Sequence, residues 1–263
     1  MDRSRVSVLV PVYNMAAFLP ECLKSVLSQD YESFEMVVID DGSTDRSGEV
    51  AHDCIETARN EGPAARVVFR SHEGKLGAIR VGLAESRGAL VTIVDADDRL
   101  PAGSIRRRAA ALRENRSWTG VYGDASYLDK GGAIYRRRNS LPVYGTKQIL
   151  GSMRSPIVGP TLMTRRNYLS ALLAGAPPIA KAVDKYLLAG LSARGPLGYL
   201  PEIVYEYRTY RRRRAISARV QQFLDFSRVI ALHGDRFTTA NLVFRQALFH
   251  GMKLLVELAS PGK

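Results

Sequence analysis

Short apolar runs alternate with helical patterns along the first hundred residues. Runs rich in β-branched residues are candidate strands at residues 6–12, 34–39, 66–69 and 90–94. Between them, apolar residues recur at steps of three and four, as at residues 18–27, which is typical of a helix with one buried face. This alternation predicts crossover units, and hence an α/β fold with a mostly parallel central sheet flanked by helices.

The pattern changes after residue 101. We expect further helices at residues 104–114, 167–173 and 184–193, and further strands at residues 120–127, 133–135, 157–164 and 199–207. From residue 218 onward the pattern is helical. Its apolar face near the end of the chain comprises Leu248, Phe249, Met252, Leu255 and Val256.

The strand at residues 90–94 ends in the carboxylates Asp95, Asp97 and Asp98. Because a buried unpaired carboxylate is costly, we expect these acids at the carboxyl edge of the sheet, where open α/β sheets bind ligands. On an extended backbone Asp95 and Asp97 would point the same way, which suits Mg²⁺ or Mn²⁺ bridging to substrate phosphates. A solvated acidic turn is the alternative.

A second strand, residues 34–39, ends in Asp40 and Asp41. Both acid pairs then lie at one edge of a parallel sheet, although simple capping of a strand end is the alternative. Paired acids after a strand also occur in phospho-receiver domains. Those domains need an aspartate after the third strand, where this chain has residues 70–72, Arg-Ser-His.

The chain of 263 residues has a formal net charge of +12, concentrated in arginine runs at residues 106–108, 136–138 and 211–214. Such charge favours nucleic acid, anionic lipid or phosphorylated small molecules as partners. None of the runs is interleaved with the aromatic and glycine pattern of RNA-binding sheets, which argues against nucleic acid. The last run and a C-terminal helix with Arg245 and Lys253 could dock on an anionic membrane surface, or that helix could pack on the core.

The two cysteines, Cys22 and Cys54, and the scattered histidines have no zinc-ligand spacing. We therefore expect a protein of the reducing cytoplasm, either free there or peripheral at the inner face of the membrane. No apolar run approaches the roughly 20 residues that a membrane span requires. The run at residues 6–12 lacks a convincing signal-peptide cleavage site.

Five segments, taken in order, resemble family 2 glycosyltransferases of the GT-A fold: VSVLVPVYN, VVIDDGSTD, GKLGAIRVGLAESRG, VDADD and AVDKYLLAGLSARGPLGYLPEIVYEYR. They extend from residue 6 to residue 208. The resemblance implies a nucleotide-sugar-binding half at residues 1–118 and an acceptor-binding half of the same domain at residues 119–210. Residues 211–263 would form a basic helical extension.

The resemblance also implies roles for individual residues at the nucleotide. Pro11 and Tyr13 would line the base-binding pocket, the latter with its ring. Asp41 would accept a hydrogen bond from a uracil ring, with Asp40 supporting the turn. Lys75 would approach the diphosphate as a point charge.

For the chemistry, the resemblance implies that Asp95 contacts the ribose or the metal, Asp97 is the main ligand of Mn²⁺ or Mg²⁺, and Asp184 is the general base. One base and no second nucleophilic carboxylate imply direct displacement with inversion. We expect a UDP-sugar donor. The acceptor stays open among a glycan, a lipid-linked sugar and a small molecule.

The chain departs from the family pattern at three positions. Val183 stands where the family usually has glutamate, Arg80 where it often has asparagine, and Tyr210 where a histidine is common, so a third protein ligand to the metal is open. An inactive nucleotide-sugar-binding module and a basic nucleic-acid- or surface-binding protein are the alternatives. A nucleotidyltransferase would need a glycine-rich phosphate loop after the first strand, where Tyr13 and Asn14 stand instead.

Overall fold

A mixed eight-stranded sheet with helices on both faces forms the frame of the molecule. The computed structural model describes residues 5–58, 62–143, 145–151, 155–210 and 216–233. The strands are β1 (Val6–Val12), β2 (Phe34–Asp41), β3 (Ala64–Arg70), β4 (Leu90–Ile93), β5 (Gly120–Leu128), β6 (Ile134–Arg138), β7 (Met163–Arg165) and β8 (Leu197–Arg208). The helices are α1 (Leu19–Leu27), α2 (Ser47–Ala58), α3 (Lys75–Glu85), α4 (Ser104–Glu114), α5 (Thr146–Gly151), α6 (Arg166–Ala174), α7 (Val183–Ser192) and α8 (Ile216–His233).

The sheet has the strand order β3-β2-β1-β4-β7-β5-β6, and β8 pairs with β5. The first four strands of this order are parallel, while β7 is antiparallel to both β4 and β5. Because β7 is antiparallel to both of its neighbours, β5 runs in the same direction as β4, and β8 is parallel to β5. The carboxyl ends of β5 and β8 therefore lie at the same edge as those of β1, β2 and β4. The predicted α/β fold with a mostly parallel central sheet is confirmed.

Pro11 is compatible with the centre of this sheet because of its place in the strand. β4 pairs with β1 only from Val6 to Leu9, so Pro11 lies beyond the last pair on that side. A proline lacks the N–H that a ladder needs, and it is tolerated here near the end of the strand.

Two apolar layers cover the faces of the sheet. One layer joins the sheet to α3, α6, α7 and α8; its helix residues include Ile79, Leu172, Leu187, Phe226 and Ile230. The other joins it to α1, α2 and α4, through Leu23, Ile55 and Ile105 among others. Helices α3 and α7 therefore lie on one face, and both begin at the carboxyl edge of the parallel strands.

The structure differs from the sequence predictions in two stretches. The strand expected at residues 157–164 is a 3-10 turn, Gly159–Thr161, followed by the short β7. Pro160 explains the difference, since it cannot donate to a strand ladder. Helix α5 has no counterpart among the predicted helices.

The C-terminal predictions are only partly covered by the described residues. The expected helical region begins as α8, but the arginine run at residues 211–214 and the apolar face at residues 248–256 lie outside the described part. The division of the chain at residue 118 stays a prediction, and the sheet is continuous across it. In the described ranges, no helix combines the length and the apolar character needed to cross a membrane.

Candidate active site

Lys75, Asp95 and Asp184 meet at the carboxyl edge of the sheet. Lys75 is the first residue of α3, Asp184 is the second residue of α7, and Asp95 follows the end of β4 by two positions. The Lys75 Nζ atom lies 2.7 Å from Asp95 Oδ1 and 2.9 Å from Asp184 Oδ1. One ammonium group thus joins two carboxylates that the sequence had placed in different roles.

The charges of these three groups depend on one another. Burial alone would lower the pKa of Lys75, but the carboxylates of Asp184 and Asp95 outweigh it and raise that pKa. Burial raises the pKa of Asp95, as does Asp184, while Lys75 acts in the opposite direction. Lys75 is therefore a firmly held cation. Asp184 keeps 40% of its side chain exposed, so it is partly accessible from the solvent.

The 3-10 turn presses closely against Asp184. A Cβ atom built on Gly159 would lie 2.6 Å from Asp184 Cβ and 3.1 Å from its Cγ and Oδ2. A cavity adjoins the charged groups, and apolar residues from β4, α6 and α7 form much of its wall: Val91, Ile93, Leu169 and Leu187. The carboxylate of Asp184 is thus held between a glycine backbone and an ammonium group.

The acids after β4 lie on a turn. The strand ends at Ile93, and the Asp98 N–H donates to the Asp95 carbonyl oxygen over 2.9 Å. The prediction of an extended backbone here, on which Asp95 and Asp97 would point the same way, is therefore wrong. Asp95 faces Lys75, whereas Asp97 Oδ2 accepts a hydrogen bond of 2.8 Å from the Tyr210 hydroxyl.

The end of β8 holds this turn in place. The Tyr205 hydroxyl accepts from the Asp95 N–H at 3.0 Å, and Arg208 Nε donates to the Asp97 carbonyl at 2.8 Å. The Arg208 N–H donates to Asp98 Oδ1 at 2.7 Å. Sequence reasoning missed Tyr205 and Arg208 as parts of the site. The signal was available, because β8 ends at the same edge of the sheet as β4.

Asp98 is buried and does not face the solvent. Its Oδ2 atom has no hydrogen-bond partner among the described residues. Burial raises the pKa of Asp98 well above its ordinary value, and the neighbouring Asp95 and Asp97 add to the effect. Asp98 therefore supports the turn from inside, through its bond to the Arg208 N–H.

Asp41 braces the loop that leads into α3. Its carboxylate accepts from the Glu73 N–H at 3.0 Å and the Gly74 N–H at 2.8 Å, and His72 Nδ1 lies 2.8 Å from Oδ2. Gly74 caps α3 with φ +84°, a conformation that favours glycine. Asp41 thereby fixes the position from which Lys75 projects.

A second group gathers around His72. The exposed ring of Tyr13 stacks on the His72 ring, with centroids 4.1 Å apart and planes at 28°. Pro11 is half-buried at the end of β1, two residues before Tyr13, and the Asp40 carboxylate accepts from the Ser43 N–H at 2.9 Å. His72 was not predicted as a site residue. Its place just beyond β3, at the same edge as the acids, is the signal that could have identified it.

The carboxylates of Asp95 and Asp97 are suited to a divalent cation only if water and substrate provide its remaining ligands. In the described part of the chain, no group of three His, Cys, Asp or Glu residues is arranged to hold a metal. Mg²⁺, and Mn²⁺ with similar ligands, is commonly bound by one or two carboxylates that are completed by water and substrate phosphates. Asp97, which accepts from Tyr210, and Asp95, which is paired with Lys75, are the carboxylates at this edge that could hold a cation in this way.

The family model for glycosyl transferase family 2 matches residues 7–173, which include all the predicted site residues except Asp184. The chain belongs to glycosyl transferase family 2. Among similar proteins, glycosyltransferase GlyG of Streptococcus pneumoniae is 31% identical over 131 residues, which are 49% of this chain and 42% of that protein. The uncharacterized glycosyltransferase EpsJ of Bacillus subtilis is 32% identical over 111 residues, 42% of this chain and 31% of that protein. The chain thus matches less than half the length of these relatives.

Solved structures of similar fold extend the likeness beyond the matched residues. The structure of S. aureus TarS 1–349 with UDP-GlcNAc has a TM-score of 0.66 at 19% identity, over 92% of this chain and 71% of that one. The mannosyltransferase PcManGT from Pyrobaculum calidifontis, with GDP-Man and Mn²⁺, has a TM-score of 0.69 at 20% identity, over 99% and 77%. At these identities the likeness shows a shared fold.

Proposed function

We propose that this family 2 member is an inverting glycosyltransferase that moves a sugar from a nucleotide-diphosphate donor, expected to be a UDP-sugar, to an acceptor hydroxyl. The observation that carries the proposal is the contact of Lys75 with both Asp95 and Asp184. Helix α3 contributes the ammonium group of Lys75, the turn after β4 contributes the carboxylate of Asp95, and α7 contributes the partly exposed carboxylate of Asp184. Transfer from a diphosphate needs a group of each kind.

In this proposal Asp184 accepts the proton of the acceptor hydroxyl while the hydroxyl oxygen attacks the anomeric carbon of the donor sugar. The bond from that carbon to the diphosphate oxygen breaks, and the electron pair leaves with the nucleotide diphosphate. Lys75 stabilises the negative charge that grows on the leaving group. A single displacement from the face opposite the leaving group inverts the anomeric configuration.

The nucleotide would lie along β1 and β2. The exposed ring of Tyr13, near Pro11, offers a face for the base, and its stacking on His72 holds that ring in place. Asp41 would accept from the uracil ring by exchanging one of its present contacts, because Glu73, Gly74, His72 and Arg70 already occupy its acceptor sites. The N-terminus of α3, from which Lys75 projects, is favourable for phosphate groups.

Asp97, with Asp95, would hold Mg²⁺ or Mn²⁺. Bound there, the cation would supply electrostatic stabilisation to the leaving diphosphate. The acceptor is proposed only as a hydroxyl of a glycan, a lipid-linked sugar or a small molecule. Peripheral association with an anionic membrane surface stays a prediction, because the arginine run at residues 211–214 lies outside the described residues.

The test is nucleotide release from UDP-GlcNAc, UDP-glucose and GDP-mannose with Mn²⁺, with and without candidate acceptors. We expect Asp184→Asn to lower the turnover of the preferred donor by roughly 10²- to 10⁴-fold while nucleotide affinity is kept. Asp53→Asn, at a side chain that is 80% exposed on α2, is the matched control and should keep wild-type turnover.

Each part of the proposal has its own contrary result. Equal turnover of Asp184→Asn and the control would refute the assignment of the base. Nucleotide binding without turnover of any donor by the wild type would instead favour the inactive binding module. A product with retained anomeric configuration, observed by NMR, would exclude single displacement.

A further inference from the structure

Asp225 of α8 is a fully buried carboxylate that binds a segment of the chain distant in sequence. Its Oδ2 atom accepts hydrogen bonds from the Ala180 N–H at 2.8 Å and the Lys181 N–H at 2.7 Å. Its Oδ1 atom accepts from Gln221 Nε2 at 2.7 Å. A buried carboxylate of this kind is stable because charge-assisted bonds compensate its desolvation.

The two bound amides lie immediately before α7. Ala182 is the N-cap of that helix, and its side chain provides no capping bond. Backbone N–H groups that are removed from water need acceptors, and negative charge near a helix N-terminus is favourable. Asp225 supplies both from a neighbouring helix. Asp184, the proposed base, is the second residue of the helix that begins at this point.

A second contact from α8 holds the first turn of α7. Phe226, the residue after Asp225, packs beneath Lys185, whose Nζ atom lies 3.6 Å from the ring centroid. Val229 and Ile230, on the next turn of α8, are fully buried. Adjacent residues of α8 therefore fix the segment that enters α7 and the residue beside Asp184.

The segment before α7 has little regular structure of its own to hold it. Residues 175–182 contain two prolines, Pro177 and Pro178, which lack N–H groups, and form no helix or strand. Arg228 of α8 donates to the Pro178 carbonyl at 3.2 Å. Within the described residues, contacts from α8 are thus a main source of order for this segment.

We propose that Asp225 is a positioning residue that holds the N-terminus of α7 so that Asp184 meets the acceptor hydroxyl. This inference rests on the proposed function, which assigns Asp184 as the base. Asp225 touches neither substrate nor reacting atoms and acts through the Ala180 and Lys181 amides. Substitution of Asp225 should therefore lower the rate of transfer and leave nucleotide binding intact.

The structural half of the test is hydrogen–deuterium exchange of residues 180–186. We expect these amides to exchange about tenfold faster in Asp225→Ala, because the Ala180 and Lys181 N–H groups lose their acceptor. Asp225→Asn keeps an acceptor oxygen and should stay near wild type. Val229→Ala removes buried packing from α8 but none of the hydrogen bonds to the Ala180 and Lys181 amides, so it controls for general loosening. Unchanged exchange in Asp225→Ala, or equal acceleration in Val229→Ala, would overturn the proposal.

The kinetic half is a double-mutant cycle between Asp225→Ala and Asp184→Asn, with whichever of UDP-GlcNAc and GDP-mannose the wild type turns over. We expect Asp225→Ala to lower kcat by about 10- to 100-fold with unchanged nucleotide Kd, the scale of effect of a base displaced by about 1 Å. In the Asp184→Asn background the same change should add little, because the two residues act as one unit.

The two possible failures are distinguishable. If Asp184→Asn is inactive but Asp225→Ala keeps wild-type kcat, or if the two effects are additive, the positioning role is refuted and the proposed function stands. If Asp184→Asn keeps full activity, the base assignment fails and the positioning role fails with it.

Discussion

Replacement of Gly159 by alanine tests the geometry around the proposed base without altering any charged group. The added Cβ would lie 2.6 Å from Asp184 Cβ, whereas ordinary van der Waals contact begins at 3.4 Å. The methyl group cannot avoid the clash by rotation, because its position is set by the backbone. Asp184 or the 3-10 turn must therefore move by about 0.8 Å, the difference between these distances.

A displacement of this size has a predictable cost in rate. The bond from Lys75 Nζ to Asp184 Oδ1 is 2.9 Å, so a shift of Asp184 away from Gly159 changes its contact with the ammonium as well as its approach to the acceptor. Misplacement of a catalytic group by about 1 Å costs on the order of 10²-fold in rate. Overpacking costs about 1–3 kcal/mol of folding free energy in addition.

The assay is kcat for nucleotide release, measured well below the melting temperature of the variant, together with nucleotide Kd. Gly175→Ala is the matched control, since a Cβ there meets no atom within 4 Å and the residue lies at the C-cap of α6. We expect a fall in kcat of about 10- to 100-fold for Gly159→Ala, with Kd unchanged. A folded Gly159→Ala protein as active as Gly175→Ala would refute the reasoning.

Two further predictions concern stability and metal binding. Burial opposes the charge of Glu35, but the Arg87 N–H, the Ser7 hydroxyl, Arg5 and Arg66 outweigh it and lower its pKa below the ordinary 4.5. Ionised Glu35 therefore stabilises the fold above that pH, and the contribution is lost as the pH falls through the lowered value. Glu35→Gln should lose about 1–3 kcal/mol of unfolding free energy in urea at neutral pH and progressively less as the pH falls below 4.5; a loss that does not change with pH would contradict this. Tyr210→Phe removes the donor to Asp97 Oδ2 and should weaken Mn²⁺-dependent nucleotide binding about tenfold by calorimetry, whereas unchanged affinity would exclude a supporting role.

The framework was predictable because its signals are local. The apolar runs gave β1 to β4 within a few residues, since each is short, buried and bounded by turn residues. The acids at the end of β2 and after β4 mark the edge of the sheet at which Lys75 and Asp184 also lie. The turn at residues 95–98 was not predictable in the same way, because a hydrogen bond from the Asp98 N–H to the Asp95 carbonyl has no signature in the side-chain pattern.

The contacts within the site depend on long-range packing. The resemblance supplied Lys75, Asp95 and Asp184 as separate candidates, but their bridge joins residues 109 positions apart. The apolar pattern places Gly159 in a strand, whereas its lack of a side chain is what leaves room for Asp184. Asp225 had no signal at all, since an aspartate on a helix is ordinarily a solvated residue, and only the packing of α8 on α7 shows its partners.

The measurement that tests the central claim most directly is calorimetric titration of UDP, GDP and dTDP, with and without Mn²⁺. The titrations would compare the wild type with Asp97→Ala and with the exposed-site control Asp53→Ala. The account predicts Mn²⁺-dependent binding of one nucleotide, UDP by expectation, that is lost in Asp97→Ala and kept in the control. Binding of none of the three nucleotides by the folded wild type, or equal Mn²⁺-dependent binding by Asp97→Ala, would contradict it.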